Sequence, residues 1–326
     1  MNKTKKILFI AFSLLFIMFS VILGYGIYLT IRVAQVLDEG YVETSVESIR
    51  DSWDFNFGVE PSTVLLMGID ALDMENELAF SDAIMLMSIN PIENSVKLVN
   101  LNRHLIFHND TENFHRFDRL AYYYVFGGPS LLMSTIQDAL TMPVDRFIAV
   151  DFTAFSNIID VLGGVEVYNM GDAFGFTSGY EGLDEARRDV WFESGSLHLN
   201  GMEAIEYARQ RGHNPVHGEN ERQGRQQQIV TAVLNSLTDD LISQHREILT
   251  AIEGHFSHSL SSLDILNLFT PFIGGINEIS HYSLNGTRYI VDDEDGLHEF
   301  RIVTQDELLE ITNLLRGHLE LPLINE

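Results

Sequence analysis

A single α/β domain is predicted for residues 62–319, and three observations predict it. Strand-like and helix-like segments alternate along that stretch, with no long linker, low-complexity tract or internal repeat. Its first strand-like run, Val64-Leu65-Leu66-Met67-Gly68-Ile69, is continuously apolar, as in a strand buried on both faces. A hydrophobic content of 45% supplies one large core and excludes a disordered acidic chain.

Ahead of this domain, residues 7–31 contain no charged side chain. As a helix they span roughly 37 Å, enough to cross a bilayer with some tilt. Lys3, Lys5 and Lys6 precede the run and acidic residues follow from Asp38. The positive-inside rule then puts residues 1–6 in the cytoplasm and the remainder outside, a single-pass type II arrangement. The run is too long for the apolar region of a cleaved signal peptide, and no small-x-small site follows it, so an uncleaved signal-anchor is expected. Residues 32–61 are acidic and weakly patterned and read as a stalk; residues 320–326 read as a tail.

Asp70 closes the first apolar run, and Asp82 begins the next, Ala83-Ile84-Met85-Leu86-Met87-Ser88-Ile89. The Asn90-Pro91 turn leads into Ser95–Leu101, which ends near Arg103. An antiparallel meander of these three strands brings Asp70, Asp82 and Arg103 to one sheet edge. Two close carboxylates repel unless they share a cation or proton, so a divalent metal is one natural occupant. The alternative, that both aspartates merely cap loop starts, stays open on spacing alone.

A second cluster is arginine-rich. Asn200 and Glu203 form a capping box for a helix beginning near Gly201, with Arg209 and Arg211 at its exit. A further helix is expected from Glu221 to about Leu237. There Arg222, Arg225 and Gln226 share the stripe that continues through Ile229, Val233 and Leu237, the face that should be buried. A buried arginine needs a counter-charge, so the block suggests an anion site. A ladder of ion pairs to Glu203, Glu206, Glu219 and Glu221 is the competing reading.

Charge and composition narrow the classes further. The chain of 326 residues has a formal net charge of −27. All 47 acids lie after residue 32, where they face fifteen arginines and one lysine, a balance of −31. Such a surface argues against nucleic acid as a partner. The absence of cysteine excludes disulfides, thiolate metal sites and a cysteine nucleophile. No phosphate-loop, dinucleotide or G-x-S-x-G fingerprint occurs. The pairs His104/His108 and His213/His217 lack the glutamate of a zinc helix and read as loop histidines. Gly127-Gly128-Pro129 and Gly163-Gly164 read as turns.

The succession LLMGIDA, SDAIMLMSINP, LVNLNRH, YYYVFGGPSLL, MPVDRFIAVDFTAF with DVLGGVEV, LHLNGMEAIEYARQR and ERQGRQQQIV resembles the LytR-CpsA-Psr family of cell-envelope proteins. The match covers residues 62–240 by motif and extends more loosely to about 318. The resemblance implies an αβα sandwich around a mixed sheet, behind one transmembrane helix. It implies a phosphotransferase that moves a glycopolymer, of wall teichoic acid or capsule type, from polyprenyl (undecaprenyl-type) phosphate or pyrophosphate to peptidoglycan. Mg²⁺ or Mn²⁺ is the implied cofactor, and the outer face of the cell membrane in a Gram-positive-type envelope the implied location. Residue by residue, Asp70 and Asp82 match metal-associated aspartates. Arg103, Arg119, Arg209, Arg211, Arg222, Arg225 and Gln226 match pyrophosphate-binding positions, and Asp82, Arg103, Arg209 and Arg211 are the expected catalytic set.

Two positions depart from that pattern. Phe80-Ser81-Asp82 stands where the family commonly has Arg-Ser-Asp, and Arg103-His104 where it commonly has Arg-Asp. Two alternatives stand beside the transferase, a polyprenyl-pyrophosphate hydrolase and a non-catalytic polyprenyl-phosphate binder, and the departures at Phe80 and His104 keep the second in play.

Overall fold

The computed structural model describes residues 32, 35–47, 49–50, 55–70, 80–107, 118–177, 189–210, 218–272, 275–293 and 296–325. Its centre is a six-stranded mixed sheet in the order β10-β5-β1-β2-β3-β11. The first three strands, β1 (Ser62–Asp70), β2 (Phe80–Asn90) and β3 (Ser95–Leu101), form the expected antiparallel meander. On one side β5 (Arg146–Asp151) runs parallel to β1, and the short β10 (Phe256–His258) pairs antiparallel to β5. On the other, β11 (Glu278–Leu284) runs parallel to β3.

β1 is buried on both faces because helices cover both sides of the sheet. Leu65, Met67 and Ile69 enter a core with α1 (Leu120–Leu140) and α6 (Gln305–His318), through Leu132, Ile136, Leu140 and Leu315. Val64 enters the opposite core with Met85, Met87, Ile89 and Leu98, closed by Val230 and Leu234 of α4 (Gly218–Ile252) and by Leu268 of α5 (Ser262–Phe269). A third cluster joins α2 (Phe152–Val161) and α3 (Gly201–Arg209) to β6 (Val165–Asn169) and β9 (Gly195–Leu199), through Ile159, Val167, Leu199, Ala204 and Ile229. Three smaller sheets complete the chain: β6-β9, β7 (Phe174–Thr177) with β8 (Asp189–Phe192), and β12 (Thr287–Asp293)-β13 (Gly296–Ile302)-β4 (Leu105–Ile106).

Local chemistry explains the helix starts. Asp151 caps α2 by accepting from Ala154 N at 2.8 Å, and Asn200 with Glu203 forms the expected capping box of α3. Gly201 lets α3 approach α2 closely: its N–H donates to Asp160 Oδ1 at 2.7 Å, and a Cβ there would collide with the Ser156 carbonyl oxygen.

Several expectations change. β2 begins at Phe80, two residues before Asp82. Gly127 and Gly128 break the regularity of α1, in keeping with their reading as a turn, but inside one kinked helix. α4 starts at Gly218 and continues to Ile252, beyond the expected end at Leu237. The segment read as a stalk lies against the domain where it is described. Val36, Leu37 and Phe57 are buried, and Arg50 forks onto Asp145 at 2.6 and 2.7 Å. The expected membrane span, residues 7–31, lies outside the described residues, and no helix among those described is long and apolar enough to cross a membrane.

His318, at the end of α6, is buried between Ser88 Oγ (2.7 Å) and Ser95 Oγ (2.9 Å). Burial, with a smaller push from Lys97, lowers its pKa to about 4. The folded ring therefore stays neutral between the ordinary imidazole value and about 4, while the unfolded ring binds a proton. Stability should fall as pH drops through that window, by about 3 kcal/mol for this group in full. Urea unfolding of the wild type and His318→Gln at a series of pH values should show the slope reduced by one proton in the variant; an unchanged slope would rule out this origin.

Candidate functional site

The carboxyl ends of the parallel neighbours β1 and β5 carry Asp70 and Asp151, one residue out of register: Ile69 pairs with Asp151 and Asp70 with Phe80 of β2. Ligands in α/β sheets favour this edge, since adjoining loops and helix ends can converge on it. Here β2 adds Asp82, the turn after β3 adds Arg103, the end of α3 adds Arg209, and the first turns of α4 add Arg222 and Gln226.

Asp82 and Arg103 form a direct, half-buried ion pair between Oδ1 and Nη1, so the meander does unite these two groups as expected. Arg103 Nε also donates to His104 Nε2 at 3.2 Å. An arginine can only donate, so the imidazole accepts at Nε2 and carries its proton on Nδ1 when neutral. His104 thereby supplies Arg103 with an acceptor at the position where a carboxylate was expected. Phe80 takes an aromatic role: its ring meets Tyr122 edge-on at 5.1 Å, and Tyr122 in turn accepts from Arg119 Nη2 at 2.9 Å.

The arginine block is buried as the stripe argument requires. Arg222 and Arg225 are 5% and 8% exposed. The competing ion-pair reading is also partly realised, since Arg222 pairs with Glu219 and Arg225 lies 3.4 Å from Glu221. Arg225 further donates to Gln210 O at 2.7 Å and lies over the Phe174 and Tyr207 rings, so it braces α3 against α4. Gln226 Oε1 accepts from Asn100 Nδ2 at 3.4 Å, linking α4 to β3. Arg209 projects over the Phe152 ring, 5.5 Å from its centroid. Arg211, His108, His213 and His217, and the side chain of Asp70, lie outside what the structure describes.

Behind this polar edge lies a cavity of about 390 Å³ between the sheet and α2, α3 and α4. Leu66, Met85, Ile148 and Val150 form its sheet wall; Phe152, Phe155, Ile158, Ile205 and Ala208 line α2 and α3; Ile229, Val230, Val233, Leu234 and Leu237 line α4. Asp82, Asp151, Arg209, Arg222 and Gln226 are its polar members. Asp151 escaped the sequence reading. The signal was an apolar run, Phe147–Val150, that ends in aspartate just as the first strand does. Its carboxylate also meets His255 Nδ1 at 2.7 Å.

Such a cavity suits a molecule with a long apolar part and an anionic head. Among the described residues no group of three or more His, Asp or Glu could form a metal cage. Asp82 is a hard oxygen donor of the kind a divalent cation such as Mg²⁺ takes.

The LytR_cpsA_psr family model matches residues 28–317. A relative from Enterococcus faecalis (strain ATCC 700802 / V583), named polyisoprenyl-teichoic acid–peptidoglycan teichoic acid transferase TagU, is 28% identical over 321 residues, covering 98% of this chain and 99% of the relative. The crystal structure of protein gbs0355 from Streptococcus agalactiae superposes with a TM-score of 0.69 at 26% identity, over 86% of this chain and 94% of that one. A structure titled TagT bound to LIIa-WTA shares the fold, with a TM-score of 0.65 at 23% identity over 86% and 100% of the two chains.

The Arg222–Glu219 pair yields a stability prediction. Removing only the acid leaves a guanidinium buried without its nearest counter-charge. Glu219→Gln should destabilise by about 3 kcal/mol or more, and Glu219→Gln with Arg222→Met by clearly less. Urea denaturation of both variants checks this; equal losses would mean the pair is not coupled.

Proposed function

The chain belongs to the LytR_cpsA_psr family, and on that premise we propose that it transfers a polyprenyl-linked glycopolymer, of the teichoic acid or a related capsule type, onto peptidoglycan during cell-wall assembly. One observation carries the reading: an apolar cavity of about 390 Å³ opens onto Asp82, Arg209 and Arg222, with Arg103 held on Asp82. The polyprenyl tail would occupy the apolar part and the diphosphate would lie among the arginines.

In this mechanism a peptidoglycan sugar hydroxyl attacks the sugar-proximal phosphorus. The new P–O bond forms as the P–O bond to the lipid phosphate breaks, the hydroxyl proton is released, and lipid phosphate leaves. Arg103, Arg209, Arg211 and Arg222 neutralise phosphate oxygens as charge moves toward the leaving group. Arg119, which donates to Tyr122, is assigned to the same head group from its place in the family motif, while Arg225 and Gln226 keep the start of α4 in position. Asp70 and Asp82 would hold Mg²⁺ or Mn²⁺, which when bound withdraws charge from the diphosphate. Arg103 orients Asp82 for that task through their ion pair. Residues 7–31 would anchor the chain in the cell membrane with the domain on its outer side, beside both substrates.

Phe80 and His104 bear on how strongly the diphosphate is gripped. Phe80 packs on Tyr122 and carries no charge, which favours a non-catalytic polyprenyl-phosphate binder as the second reading. Tight lipid binding without any turnover at saturating Mg²⁺ would select the binder; turnover with a peptidoglycan acceptor would exclude it.

Asp82→Ala, and Arg209→Ala combined with Arg211→Ala, should each abolish polymer transfer to peptidoglycan, scored with a lipid-linked polymer in vitro, while circular dichroism stays native. Transfer at the wild-type rate in either variant would sink the assignment. Chelation by EDTA should stop transfer and added Mg²⁺ restore it; turnover that persists in EDTA would refute the metal role.

A further inference from the structure

On the side of α4 next to the cavity wall, Gln228, Thr231, Ala232 and Asn235 recur at i, i+3, i+4 and i+7, a single helix face. This face does not enter the apolar cavity. It forms the floor of a separate open groove of about 450 Å³, bounded by the two-stranded β6-β9 sheet and by His281 of β11. β6 alternates strictly: Val165, Val167 and Asn169 point inward, leaving Glu166 and Tyr168 outward. Tyr168 is 58% exposed and the next apolar residue, Met170, is 82% exposed. An aromatic ring and a thioether thus stand over a floor of amides and hydroxyls.

We propose that this groove binds a neutral saccharide chain, the glycan strand of the peptidoglycan acceptor. The tyrosine ring offers a flat apolar face to the C–H side of a pyranose. Gln228, Asn235 and Thr231 supply the mixed donors and acceptors that sugar hydroxyls and N-acetyl groups match, since each amide carries both kinds of group. Charge decides against the anionic polymer. In a chain of net charge −27 the groove includes, among the described residues, no arginine or lysine. Its one acid among those residues, Glu166, is paired to His198 at 2.7 Å. His281 is bonded to Thr231 Oγ1 at 2.8 Å, and desolvation lowers its pKa below the ordinary imidazole value, so it adds no positive charge near pH 7. A phosphate-rich polymer would find no counter-charge there, whereas an uncharged strand needs none. The geometry also suits an acceptor. Gln228 follows Arg222 by six residues on α4, about 9 Å along the helix axis, so the groove and the arginine edge are borne by the same helix.

This inference rests on the proposed transfer to peptidoglycan, and the test separates the two. Full-length protein in nanodiscs is titrated with soluble, uncrosslinked peptidoglycan glycan strands, and separately with a lipid-free glycerol-phosphate polymer. Wild type should bind the strands and prefer them to the polymer. Tyr168→Ala and Gln228→Ala should each weaken strand binding by about tenfold, with Tyr168→Phe restoring it, while polyprenyl-diphosphate binding stays unchanged in all three. Undiminished strand binding in both alanine variants overturns the groove whatever happens to transfer, and so does a preference for the phosphate polymer. If strand binding is lost in these variants but no form of the protein transfers polymer, the groove stands and the transferase reading fails.

Discussion

Burying one stripe of α4 organises the molecule. The stripe begins with Arg222 and Arg225 and continues through Ile229 and Val233, so the same helix face that closes an apolar wall also drives guanidinium groups out of water. That arrangement is unstable without compensation, because an unpaired charge in such surroundings costs several kcal/mol. Glu219 and Glu221 neutralise the arginines from their own helix, the Gln210 carbonyl accepts from Arg225, and the Phe174 and Tyr207 rings receive its cationic face. The contacts of Arg225 with the Gln210 carbonyl and the Tyr207 ring also fix where α4 starts relative to α3. The cavity and its charged edge are therefore two consequences of one packing solution.

The electrostatic pattern follows from it. The acidic excess is spread along the chain after residue 32, while six of the fifteen arginines there, Arg103, Arg119, Arg209, Arg211, Arg222 and Arg225, fall in the blocks that build the site. Arg103 is balanced by Asp82, and Arg119 is braced by Tyr122. An anionic head group placed there would meet arginines inside a molecule that repels anions at long range, where salt screens the repulsion more than it screens the buried contacts. Arginine suits this use because its fork can hold a fixed acceptor and still offer donors to a ligand.

Much of this was legible in the sequence. The apolar run Val64–Ile69 marks a strand covered on both faces, and the Asn90-Pro91 turn signal ahead of β3 suits the meander that joins Asp82 to Arg103. The Asn200/Glu203 box located the start of α3, expected near Gly201 and found there. The extension of α4 to Ile252 was hidden, because the polar stretch after Leu237 lacks a continuous apolar stripe to announce it. The cavity was hidden for a different reason: periodicity identifies a face that leaves water, not whether its neighbours fill the space behind it. Asp151 went unread in the sequence; it caps α2, and only the parallel pairing of β5 with β1 brings it to the site. The roles of Phe80 and His104 depend on contacts with Tyr122 and Arg103 that spacing does not encode.

The central claim is that the space behind the arginines holds the tail of a polyprenyl phosphate. Native mass spectrometry of the full-length protein extracted from membranes, wild type beside a Val233→Trp variant that fills the cavity, tests it most directly. The account predicts a co-purifying adduct with the mass of a polyprenyl mono- or diphosphate on the wild type, and its loss from the variant. A wild-type protein that carries no such lipid when challenged with it, or an adduct that survives Val233→Trp undiminished, would contradict the account.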